Sequence, residues 1–185
     1  MGRGVGRLAR RASEGFCQYP SLARRANVHA ERSEANMSAK DELVRTFPVI
    51  VTQAVVWGDM DSYQHVNNVV YFRYFENGRL EYFRRIGWFE IEEATGIGPI
   101  LASTHARFRR PLTYPDTIHI GTRLLEMKDD RFTIEHNIVS EALDDVATEG
   151  QGMLVSFHYA TGKKMPLPEE LKERMRVLEA TVQRN

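Results

Sequence analysis

The chain has 185 residues, enough for one hydrophobic core but not for two of ordinary size. Apolar residues make up 42% and charged residues 27%, the balance of a globular domain, and no stretch approaches the roughly 18 consecutive apolar residues that a membrane span needs. The formal net charge of zero argues against nucleic acid as a partner, because neutralising phosphates calls for a surplus of Lys and Arg.

That zero hides an asymmetry. Residues 1–36 carry seven arginines and three glutamates, a net of +4, which leaves −4 for residues 37–185. The single cysteine, Cys17, falls in the basic stretch, so disulfides, thiolate zinc sites and a cysteine nucleophile are excluded from the remainder. Chemistry there must rest on carboxylates, imidazoles, hydroxyls and backbone dipoles. No metal or cofactor is expected, since the histidines lack ligand spacing such as HExxH.

Residues 1–36 have no apolar periodicity and no long apolar run, so a secretory signal is not expected. They read as a disordered extension, either an upstream start ahead of Met37 or a transit-like segment, with 37–185 as the folded domain. The location expected for that domain is the cytoplasm.

Residues 48–57 (PVIVTQAVVW) are rich in β-branched and aromatic residues and read as a strand. Residues 58–68 (GDMDSYQHVNN) are a polar loop. A helix is expected from Val69 to Ile86, stopped by Gly87. At 100° per residue, Val69, Phe72, Phe75, Leu80, Phe83 and Ile86 share an apolar arc. Glu76 and Arg79 project into that arc three positions apart, which predicts a buried or half-buried ion pair. Four strands follow at 100–108, 117–127, 131–143 and 146–160, the last three joined by short polar turns as in an antiparallel meander. Residues 166–183 read as a terminal helix with acidic residues in its first turn. One helix covering one face of an antiparallel sheet gives an α+β architecture.

The loop carries the chemistry. Asp59, Asp61 and His65 converge just ahead of a helix N-terminus, whose first N–H groups lack intrahelical partners and carry positive partial charge. A carbonyl oxygen or developing oxyanion could be held there. Singly, each of these residues is more often a cap, a turn former or a packing residue; together they form a candidate site. Arg107, Arg109 and Arg110 are candidates to meet phosphates, although a solvated strand end with interspersed charges explains them somewhat better. Tyr71, Phe72, Phe75 and Tyr82 could line an apolar pocket, but aromatics at helical spacing more often belong to the core.

The run GDMDSYQHVNNVVYFRYFENGR (58–79) resembles the signature of hotdog-fold acyl-CoA thioesterases, the 4-hydroxybenzoyl-CoA thioesterase-like family, and is especially similar to its bacterial long-chain acyl-CoA members. PILASTHARFRRPLTYPDTIHIGT (99–122) resembles the family's second and third strands and their Arg-Pro-Leu link. Plant acyl-ACP thioesterases share the HVNN run but have Asn where this chain has Tyr63, which argues against that specificity. The resemblance implies a hotdog fold, a five-stranded antiparallel sheet wrapped around a long central helix. It also implies an acyl-CoA substrate and pairing into a homodimer or homotetramer with the sites at subunit interfaces.

By the same resemblance, Asp61 is the catalytic carboxylate, acting as base or nucleophile. A backbone N–H near Asn68 is the oxyanion donor, with His65 and Asn67 positioning water or carbonyl. Tyr71, Arg109 and Arg110 are then substrate-binding. A non-catalytic acyl-CoA-binding or sensor protein of the same fold is the alternative; it would have no need of Asp61.

Overall fold

The computed structural model describes residues 37–182; the extension expected at 1–36 lies outside them. Ser38 caps a short first helix, α1 (Ala39–Thr46), its hydroxyl accepting from the Asp41 N–H at 3.1 Å. Strand β1 (Val49–Ala54) leads through a 3-10 turn (Trp57–Asp59) and the polar loop to the long helix α2 (Asn68–Arg85). A two-turn helix, α3 (Trp88–Thr95), precedes β2 (Ile97–Phe108), β3 (Thr117–Met127), β4 (Arg131–Ser140) and β5 (Asp145–His158). A two-residue strand, β6 (Lys163–Lys164), and α4 (Glu169–Glu179) complete the chain.

The main strands form one antiparallel sheet in the order β1-β3-β4-β5-β2, with β6 added on β5. Strands β3, β4 and β5 make the expected meander. Because side chains alternate along a strand, even-numbered positions of β3 and β4 face α2 while odd-numbered ones face α1. Ile118, Ile120 and Ile138 thus pack under α2, whereas Val139 meets Leu43 and Phe47 of α1. The sheet wraps around α2 as expected. Helices α1 and α3 have no counterpart in the sequence pattern. Each is eight residues long, and each buries only two residues, too few to register as apolar periodicity. Gly87 ends the α2 region in the left-handed conformation at φ 65°, where a side chain would be strained.

The buried face of α2 also differs from the projected one. Val69 and Leu80 are exposed at 68% and 45%, while Tyr71, Tyr74, Gly78 and Tyr82 are buried beside Phe75, Phe83 and Ile86. Each tyrosine buries its ring because its hydroxyl finds a partner. Tyr71 Oη accepts from the Leu112 N–H at 3.1 Å, Tyr74 donates to Asp59 at 3.1 Å, and Tyr82 donates to the buried Glu179 at 3.0 Å. Gly78 lets the helix backbone approach β3: a Cβ there would fall on Thr122 Oγ1 and 3.0 Å from Ile120 Cγ2. The Glu76/Arg79 pair is correspondingly lopsided, its atoms 3.8 Å apart, with Arg79 sunk to 12% exposure and Glu76 at 45%.

Candidate active site

The loop between β1 and α2 is closed on itself. Met60 and Val66 form an isolated antiparallel bridge, and the Asp61 N–H donates to the His65 carbonyl at 2.9 Å. Inside this closure the Asp61 carbonyl accepts from the Gln64 N–H, and Asp61 Oδ1 accepts from the Tyr63 N–H, both at 2.9 Å. That is the local bond by which Asp side chains stabilise turns. Gln64 takes the left-handed conformation, φ 62°, that lets the chain double back. One carboxylate oxygen of Asp61 is thereby oriented by the backbone while the group stays at the mouth of the loop.

Asn67 is the N-cap of α2, its side-chain oxygen accepting from the Val69 N–H at 3.0 Å and its carbonyl from the Val70 N–H at 2.9 Å. The capping oxygen expected to position water is therefore committed to the helix. The helix begins at Asn68, one residue earlier than expected. Among the described residues no acceptor holds the Asn68 N–H, which leaves it as the donor at the positive end of the helix.

Two distant segments meet here. The Val66 N–H donates to the Leu112 carbonyl at 2.9 Å, and the Leu112 N–H donates to Tyr71 Oη, so the fully buried Leu112 ties the Arg-Pro-Leu link to both the loop and α2. As a result Asp61, His65, Asn68, Tyr71, Arg109 and Arg110, the six site residues read from the sequence, all line one cavity of about 480 Å³. Phe108, packed edge-on against Tyr71 with ring centres 5.0 Å apart, lines it as well. Phe108 carries no chemical signature in the sequence, and only its position beside the Arg-Arg pair points to it.

The surroundings of the individual side chains differ. Tyr71 is 3% exposed, burial raises its phenol pKa, and its hydroxyl is occupied by Leu112; it is a wall and a tie. Arg109 and Arg110 reach the cavity but are ion-paired with Glu149 and Asp145 on β5. Each guanidinium has five N–H donors, so a phosphate could be accommodated beside the carboxylate already held. Phe75 and Tyr82 lie in the core and line no part of this cavity. On the other side of Asp61 a second cavity, about 590 Å³, is lined by Trp57, Met60, Gln64 and Tyr114.

This loop, helix end and arginine-bearing link lie inside a segment that is similar to known proteins. The model of the thioesterase-like superfamily matches residues 55–175, almost two-thirds of the chain. The chain belongs to the thioesterase-like superfamily. The hotdog fold follows from the same comparisons. The chain is similar to a thioesterase from Thermus thermophilus solved in complex with coenzyme A and Zn, with 32% identity, a TM-score of 0.65, and coverage of 73% of this chain and 96% of that one. It is 26% identical to the long-chain acyl-CoA thioesterase FadM of Escherichia coli, over 67% of this chain and 95% of that protein. A shorter match, 34% identical over 82 residues, is to Protein THEM6 of Xenopus laevis; it covers 44% of this chain and 40% of that protein. No helix among the described residues is long and apolar enough to cross a membrane.

Proposed function

We propose that this superfamily member hydrolyses acyl-CoA thioesters to a free carboxylic acid and coenzyme A, with Asp61 as the reacting carboxylate. The observation that carries this reading is the shared cavity: a carboxylate, an imidazole, a free helix N-terminal N–H and two arginines face one space. The chemistry asks for little more. A thiol of pKa near 8.5 leaves as thiolate without a strong general acid. The carbonyl needs a donor for its developing oxyanion, here the Asn68 N–H, and either a base on water or a direct nucleophile, here Asp61. His65 flanks that water, and Arg109 and Arg110 meet the nucleotide phosphates.

The relatives named above support the substrate class, since one is a long-chain acyl-CoA thioesterase and another was solved with coenzyme A bound. Pairing through the β2 edge completes the assembly in this reading. Residues 101–105 of that outer strand are all exposed, and an unpaired edge of this length invites a second copy in a dimer or tetramer. The test is a panel of short, medium, long and aromatic acyl-CoAs with released thiol measured directly. Turnover of at least one class that is abolished by Asp61→Asn supports the proposal. Tight binding of acyl-CoA without thiol release would favour a non-catalytic binding protein.

A further inference from the structure

Asp61 borders two cavities. One is the arginine-bearing space described above; the other, of about 590 Å³, is bounded by Trp57, Met60, Gln64, Thr113 and Tyr114 together with Asp61. These residues come from the loop and from the Arg-Pro-Leu link, and none belongs to the β2 edge through which a second copy is proposed to pair. Three ties hold loop and link side by side. The Val55 N–H donates to the Asp116 carbonyl at 2.9 Å, the Val66 N–H to the Leu112 carbonyl at 2.9 Å, and the Tyr114 N–H to Met60 Sδ at 3.5 Å. The walls of the second cavity are therefore set by the same contacts that place Asp61.

Two features separate this cavity from its neighbour. Among its described lining residues Asp61 alone is charged, whereas the neighbouring space holds Arg109 and Arg110. It also carries aromatic surface that the core does not use. Trp57 is 70% exposed and Tyr114 50%, while Trp88, the other of the chain's two tryptophans, is fully buried. Large apolar side chains left in water on one cavity mark a surface that is covered in use.

A thioester constrains what lies on each side of Asp61. Its carbonyl carbon has to meet the carboxylate, or the water that the carboxylate activates. From that carbon the sulfur, with the nucleotide behind it, and the acyl chain leave in different directions. The nucleotide end is anionic, and the two guanidiniums match it on the arginine side. The uncharged cavity is left for the acyl group. Resting on the thioesterase reading, we infer that the acyl chain lies in the cavity of Trp57 and Tyr114, and that these two side chains set the acyl preference. Met60 adds a flexible thioether that adapts to chains of different shape. An anionic acyl end would be repelled there by the Asp61 carboxylate, so the preference runs toward apolar acyl groups long enough to reach the two rings.

The experiment compares kcat/KM for octanoyl-CoA and acetyl-CoA, with calorimetric binding of coenzyme A and of its S-octyl thioether, which cannot be hydrolysed, run beside it. Burying a methylene favours binding by roughly fourfold, so two buried methylenes suffice for a preference of about tenfold. The wild-type protein is expected to favour octanoyl-CoA over acetyl-CoA, and the thioether over coenzyme A, by at least that factor. Trp57→Ala and Tyr114→Ala should each lower both ratios several-fold, and the double variant should bring them near one. Phe108→Ala, on the arginine side, should leave both ratios unchanged. Trp57 and Tyr114 are exposed, so these substitutions leave the core untouched. Tryptophan emission should move to shorter wavelength with the thioether but not with coenzyme A, and the shift should vanish in Trp57→Phe, because Trp88 is already buried. A wild-type ratio at or below one, ratios unchanged in the double variant, or an equal fall in Phe108→Ala overturns the inference while leaving thioester hydrolysis standing. Loss of the native oligomer in Trp57→Ala with unchanged ratios also overturns it and makes the aromatic pair a subunit contact. Absence of hydrolysis for both substrates overturns the proposed function instead, and thioether binding with the emission shift then decides the cavity alone.

Discussion

The Tyr74 hydroxyl donates to Asp59 Oδ2 at 3.1 Å, and this one bond divides the labour between the two carboxylates of the loop. Asp59 is held against the buried face of α2, and its carbonyl also accepts from the Asn67 N–H at 2.9 Å. Burial and the neighbouring Asp59 charge both push the Tyr74 phenol pKa up, so the hydroxyl stays a donor at any physiological pH. Asp61, two residues on, is bound among the described residues only by the turn it belongs to and lies between two cavities. Removing the donor should therefore loosen the loop without removing the chemistry. Tyr74→Phe is expected to cost roughly 1.5–3 kcal/mol of stability, the range for a hydrogen bond to a charged group, and to change kcat by only a few-fold. Urea midpoints and kcat measured on the same preparation check this. A hundredfold fall in kcat with an unchanged midpoint would move Asp59 into the reacting set.

Gly78 sets two effects against each other. Alanine is the better helix former by about 1 kcal/mol, so an exposed glycine at mid-helix would be improved by the change. Here the added Cβ would collide with Thr122 Oγ1 and press on Ile120, both on a strand held by neighbours on each side. Overpacking of this kind costs roughly 1–3 kcal/mol and wins. Gly78→Ala should lower the melting temperature, and pairing it with Thr122→Ser, which keeps the hydroxyl, should not restore it. Pairing it with Thr122→Ala should recover part of the loss.

The fold is legible where periodicity carries it and not where partners do. Strand β3 and the turns of the meander follow from alternation and short polar links, and both ends of α2 are marked by Asn67 and Gly87. The inward face of α2 departs from the projection because tyrosine, counted as half-polar, buries completely once its hydroxyl is bonded. Those partners, Asp59, Leu112 and Glu179, lie as many as 97 residues away. The site is legible as a set because the loop motif and the Arg-Pro-Leu link each carry a recognisable signature. That Arg109 and Arg110 are ion-paired to β5, and that Arg79 is sunk 3.8 Å from a half-exposed Glu76, depends on packing that no local pattern encodes.

His136 gives the stability a pH dependence. Burial, reinforced by the Arg79 charge, holds its pKa down to about 3 from the usual 6.5. The native state keeps the ring neutral, stacked on Phe75 with centroids 5.0 Å apart and bonded through Nδ1 to Thr122 Oγ1 at 2.9 Å. Below pH 6.5 the unfolded chain binds a proton there that the native protein does not, so stability falls as pH drops from 6.5 toward 3. The slope from this group approaches about 1.4 kcal/mol per pH unit at its steepest. Urea unfolding at neutral and mildly acidic pH should show the loss, and the His136 ring resonances should not titrate while the protein remains folded. Titration of that ring near its ordinary pKa in the native state would contradict the buried, neutral assignment.

Asp61 reacts and the helix N-terminus at Asn68 holds the oxyanion in the mechanism proposed for this site. Asp61→Asn tests it most directly, because the amide keeps the size and one oxygen for the Tyr63 N–H while losing charge and basicity. With an acyl-CoA that the wild-type protein hydrolyses, kcat is expected to fall by roughly 10²-fold or more, in the range general-base catalysis supplies, with melting temperature and substrate affinity retained. Asp59→Asn should lose far less kcat. Hydrolysis by Asp61→Asn within a few-fold of wild type would contradict the mechanism and place the reacting group elsewhere in the cavity.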